Sequence, residues 1–158
     1  MNHLAFKWDG PVALDTELQK PLEKVFLHIE HPAWGGPTFV MLQRTDGSSL
    51  VVHSQMHDVA ERREVGVLNF AYGHDPANDD KAIDLSQSFR GDIRVLKLVI
   101  EESGTTAESG VTLQAGSEEL IIVAGAFPFT LAVGGVSTAP INFEPEYPLG
   151  RYTRAPFA

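Results

Sequence analysis

Chemistry in this chain must come from side chains other than thiols, because it has no cysteine and six histidines. His53 and His57 have the H-x-x-x-H spacing that lets two imidazoles share a zinc ion on a helix, where residues four apart are neighbours. The segment around them alternates like a strand. Four residues of strand span roughly 13 Å, too far for both rings to reach one metal. No Glu follows His53, so the pair is not expected to bind metal unless a turn begins at Gln55. His28 and His31 are three apart and point to opposite faces of a strand. A metal-binding reading therefore has to gather His28, His53 and His74 from separate strands.

Residues 73–80 put His74, Asp75, Asn78, Asp79 and Asp80 close together, and hard oxygen donors at such spacing can hold calcium. The order does not match the D-x-D-x-D-G pattern, and Pro76 stiffens the loop differently. A solvated turn closed by Asx hydrogen bonds is the favoured reading. Trp34, between Pro32 and Gly35-Gly36, is an anchor for a partner or, as the favoured alternative, a lid over one end of the fold. Trp34, Asp75, Asp79 and Asp80 are the binding candidates. There is no G-x-S-x-G elbow and no phosphate loop with its Lys. No catalytic residue is assigned, no cofactor is expected, and the balance leans away from an enzyme.

The elements that would position these groups are short strands. Val25, Leu27 and Ile29 share one face of a strand over 25–30. Residues 38–44 and 49–55 flank Asp46-Gly47. As a two-residue turn this dipeptide pairs Leu42 with Val51, Met41 with Val52 and Val40 with His53. Residues 64–72 and 93–100 read as further strands, the latter central and covered on both sides. Residues 101–110 read as an acidic connection. A second hairpin turns at Gly116-Ser117, pairing Leu113 with Leu120 and Val111 with Ile122. Near the N-terminus 4–8 reads as an edge strand, and Asp15 as the N-cap of one helical turn ended by Pro21. Residues 83–89 suit a short strand or turn, 129–133 another strand. Residues 134–158 form an extended C-terminal strap anchored by Phe143, Tyr147, Tyr152 and Phe157.

The expectation is one all-β domain over 1–158, with one or two short helical turns, built as an antiparallel sandwich or strongly bent barrel. The 158 residues suit one core, and 14 Gly and 10 Pro supply turns.

A net charge of −9 from 12 basic and 21 acidic residues disfavours nucleic acid and anionic membranes as partners. No leader-like segment opens the chain, and no apolar run approaches a membrane span, so a cytoplasmic location is the default. The leading expectation is a small acidic protein-interaction domain, inhibitor or immunity-like, binding a basic protein partner. The alternatives are a small-molecule- or metal-binding β-barrel, with enzyme activity open, and a structural subunit of a larger assembly.

Overall fold

A computed structural model describes residues 2–73, 76–77, 80–85, 87–135 and 143–157. The strands are β1 (Asn2–Leu4), β2 (Leu22–His28), β3 (Phe39–Arg44), β4 (Ser49–Ala60), β5 (Arg63–Tyr72) and β6 (Lys81–Asp84), followed by β7 (Arg94–Glu102), β8 (Thr105–Ala115), β9 (Glu118–Ala124), β10 (Leu131–Gly134) and β11 (Thr153–Ala155). One five-residue helix, α1 (Leu14–Leu18), precedes β2, and single 3-10 turns lie at Pro32–Trp34 and Leu149–Arg151.

These strands form two sheets. One has the order β10-β9-β8-β7-β11, with β1 added in parallel along β8; the other has the order β5-β4-β3-β2-β6. Apart from β1, every strand pair within the two sheets is antiparallel. The sheets pack face to face and neither closes on itself, so the fold is the sandwich and not the barrel.

Alternation explains the packing. Val25 and Leu27, Val40 and Leu42, and Leu50 and Val52 turn inward to meet Val111, Leu113, Leu120 and Ile122 of the other sheet. The other sheet also buries its far face. Leu98, Ile100, Ile121 and Val123 pack there with Val65, Val67 and Tyr152, flanked by Phe143, Tyr147 and Leu149. Phe157 packs on the main core beside Phe6; residues 136–142 lie outside the described residues.

Two hairpins test the turn chemistry. Gly116-Ser117 joins Ala115 to Glu118, with Leu113 opposite Leu120 and Val111 opposite Ile122. Gly116 has φ +59 while Ser117 has no positive φ, as a type II′ turn requires.

At Asp46-Gly47 the expected register is off by one. Leu42 pairs with Leu50, Met41 with Val51 and Val40 with Val52. The Arg44 amide donates to the Ser48 carbonyl at 2.8 Å, so the loop has three residues, Gly47 has φ +87, and the Asp46 carboxylate accepts from the Ser48 amide at 2.9 Å. A three-residue loop with a left-handed Gly is the next hairpin class.

Two other expectations need correction. The residues read as a connection over 101–110 are the end of β7, a two-residue turn and the start of β8, with Glu102 opposite Thr105. Ser103 and Gly104 both have positive φ, 53 and 77, a type I′ pair. Ala13, not Asp15, is the N-cap of α1 and makes no side-chain cap, while Asp15 lies in the first turn. The strand read over 49–55 continues to Ala60, and no turn begins at Gln55.

Candidate functional site

The pleat of the second sheet assembles the site. His28 pairs with Phe39, Met41 pairs with Val51, and residues two apart on a strand share a face. His28, Phe39, Met41, Val51 and His53 therefore lie together on the face turned away from the core. In the register expected from a two-residue turn His53 would oppose Val40, which is core. The one-residue difference moves a whole strand's side chains across the sheet, and it is what puts His53 beside Met41's face.

Three irregular segments wall this patch. The chain before β6 contributes Pro76, Ala77 and Asp80, the 3-10 turn contributes Trp34, and the β9–β10 connection contributes Phe129. Together they enclose an open cleft of about 710 Å³, also bordered by Glu30, Thr38 and Ser54.

Its best-defined polar feature is an imidazole–carboxylate pair. His28 Nδ1 lies 2.7 Å from Asp80 Oδ1, and the Asp80 side chain is 1% exposed. The other Asp80 oxygen accepts from the Ala77 amide at 3.1 Å. A carboxylate can only accept, so it holds the proton of the neutral ring on Nδ1 and leaves Nε2 as an acceptor. The ring also stacks on Phe39, 4.4 Å between centroids and 10° from parallel. Phe39 and Asp80 thus fix both its plane and its tautomer.

His53 differs. Partial desolvation, and secondarily the positive charge of Lys7, push its pKa below the usual histidine value, which favours the uncharged ring. Ser54 follows it on β4 and projects to the opposite face; its Oγ is buried without a hydrogen-bond partner among the described residues. Consecutive strand residues cannot make a nucleophile–base pair, and no Ser–His hydrogen bond occurs among the described residues.

The aromatic wall is preassembled. Trp34 stacks on His31 at 5.3 Å and on Phe127 at 5.6 Å, both within 14° of parallel. His31 Nδ1 accepts from the Ala33 amide at the start of the same turn. Phe127-Pro128-Phe129-Thr130 is a tight turn in which the Thr130 amide and hydroxyl both donate to the Phe127 carbonyl. Phe129 occupies its third position at φ +65, normally a Gly position, with its side chain 58% exposed.

Of the residues singled out from sequence, Trp34, His28, His53 and Asp80 come together here. Asp75, Asp79 and His74 lie outside the described residues. Asp80 is not a solvated loop carboxylate: it is buried and committed to His28. Among the described residues no group of three His, Asp or Glu side chains could hold a metal ion. His57 lies further along the same strand as His53, as the spacing argument required.

Tyr72 and Trp8 border a separate hollow. Phe39, Met41 and Phe129 escaped the sequence reading. A Phe-Pro-Phe turn with no Gly to relieve it was the available signal for the last.

Against protein-family models, curated proteins and solved structures, the chain has no match. No helix among the described residues is long and apolar enough to cross a membrane.

Proposed function

We propose that this protein binds a small, largely apolar molecule in the cleft over the outer face of the β2–β3–β4 strands. The observation that carries the reading is the convergence of an oriented imidazole, a second imidazole and an aromatic wall around one cavity. A volume of about 710 Å³ falls in the range of ligand sites, which combine apolar walls with a few fixed polar groups. Binding is favoured over catalysis because, among the described residues, no nucleophile, base and charge-stabilising group are assembled together.

Protein NMR tests this directly. Met41 lines the cleft at 3% exposure, so its methyl group reports occupancy. Two-ring aromatic fragments should shift the Met41 methyl and the His28 and His53 rings together. Shifts scattered over the surface, or none at millimolar fragment, would refute the reading.

A second reading, the protein partner expected from the acidic composition, is supported by Phe127 and Phe129, 45% and 58% exposed on adjacent corners of one turn. Retention of a basic protein at physiological salt by the wild type but not by Phe129→Ser would favour it. A clean monomer retaining nothing would count against it.

A further inference from the structure

The cleft's polar groups also specify what kind of molecule would suit it. Among the described residues that line it, none is Lys or Arg, while Asp80 and Glu30 are carboxylates. An anionic ligand would meet two like charges among these lining residues, with Lys7 outside the lining but near enough to His53 to lower its pKa.

The hydrogen-bonding requirement is equally one-sided. His28 Nδ1 is committed to Asp80. Nε2 has no hydrogen-bond partner among the described residues. The His28 side chain is 26% exposed and lines the cleft; with the proton held on Nδ1, Nε2 is the acceptor it offers there. His53 adds a second imidazole to the lining, its uncharged form favoured by partial desolvation and by Lys7. The walls of Trp34, Phe39 and Phe129 favour a flat molecule, since ring faces and edges pack best against other rings.

We propose that the cleft selects flat heteroaromatic molecules that carry an N–H donor and no negative charge, with His28 Nε2 accepting the N–H. The proposal rests on the small-molecule reading above and deepens it. Asp80 is a positioning residue: it fixes which ring nitrogen is bare. Phe39 positions the same ring by stacking. Selection against a ligand of equal shape lacking the N–H then arises because it leaves Nε2 desolvated and unpaired.

Three probes of similar shape decide it: indole, benzothiophene, which lacks the N–H, and indole-3-acetate, which adds a carboxylate. Affinities are measured by NMR titration of the Met41 methyl. For the wild type, indole should bind about tenfold more tightly than benzothiophene, the equivalent of about one net hydrogen bond, and indole-3-acetate should be the weakest. His28→Phe should erase the difference between indole and benzothiophene. The 15N shifts of the wild-type His28 ring, which need no variant, should show the proton on Nδ1 in the neutral form.

Equal wild-type affinities for indole and benzothiophene, with both shifting the Met41 methyl, would overturn the N–H selection and leave the cleft a binding site. A proton on Nε2, or tightest binding of indole-3-acetate, would overturn it too. If no probe moves Met41, the binding reading falls with it.

Discussion

The Glu146 carboxylate accepts a hydrogen bond from the Gly66 amide at 3.0 Å, joining the C-terminal segment to β5 across 80 residues of sequence. The Glu146 amide itself donates to the Ala124 carbonyl at 2.9 Å, so the segment is stitched to both sheets at one residue. Burial, more than the nearby Glu64 and Glu102 charges, raises its pKa above the ordinary 4.5, against the opposing hydrogen bond from Gly66.

A carboxyl raised by folding binds its proton more tightly in the native state than in the unfolded one. Its contribution to stability is therefore full below the unfolded value and declines as pH rises through the native one. Glu146→Gln keeps an oxygen for the Gly66 amide and removes the charge. Its melting temperature should match the wild type's near pH 4 and exceed it increasingly toward pH 7. A constant offset between the two melting curves over that range would refute the assignment.

Phe129 stores strain beside the cleft. A non-Gly residue in the left-handed region costs about 1–2 kcal/mol, and an exposed ring recovers little of that by burial. Phe129→Gly should therefore stabilise the protein by about 1 kcal/mol, allowing for the greater chain entropy of Gly, while weakening fragment binding. Chemical denaturation and the Met41 titration read the two effects. A destabilised variant that binds normally would show that the ring serves the fold.

Gly66 of β5 faces Ala124 of β9 across the two sheets. A Cβ there would meet Ala124 Cβ at 2.5 Å and Ser54 Oγ at 2.8 Å. Gly66→Ala should cost about 1–3 kcal/mol by overpacking. Ser54→Ala removes the buried hydroxyl that has no partner among the described residues. It should leave denaturant stability equal or higher by about 1 kcal/mol, because no bond is lost and a desolvated group is removed. A loss above 1 kcal/mol in Ser54→Ala would mean the hydroxyl is satisfied in solution.

Local turn chemistry explains which parts of this fold were legible. Gly116-Ser117 set its hairpin because a turn there opposes Leu113 to Leu120 and Val111 to Ile122, apolar to apolar. Asp46-Gly47 identified a hairpin without its register, since apolar residues on both faces of 38–44 and 49–55 fit either pairing, and the Asp46 side chain bonding to Ser48 tips the choice. Ser103-Gly104 carried the same kind of signal but was masked by the acidic, polar residues around it. The site was less legible than the strands. Trp34 and His53 could be named as candidates, but the pairing of His28 with Asp80 spans 52 residues and depends on how the chain before β6 crosses the sheet. Phe39 and Met41 read as ordinary strand residues until their face was known.

Arg44 and Glu17 are the strictest test of the core. Both are almost fully buried, with Arg44 Nη2 2.9 Å from Glu17 Oε2. Arg44 also donates to the Glu17 carbonyl through Nη1 at 3.0 Å and to the Ser48 carbonyl through Nε at 3.3 Å, tying α1 to the β3–β4 turn. Glu17 is further paired with Lys20 at 3.2 Å. Burial works to raise its pKa, but the hydrogen bonds and charges of Arg44 and Lys20 together hold it below the usual glutamate value. Arg44→Met removes three donors and leaves Glu17 with Lys20 as its remaining cation, so it should cost about 3–5 kcal/mol. The double variant Glu17→Leu with Arg44→Met removes both charges and should recover much of that loss, because an apolar pair avoids the desolvation penalty that the ions incur. Chemical denaturation of the two single variants and the double variant measures the coupling. If the double variant is as unstable as the sum of the singles, the two residues act independently and the buried pair does not organise this corner of the sandwich.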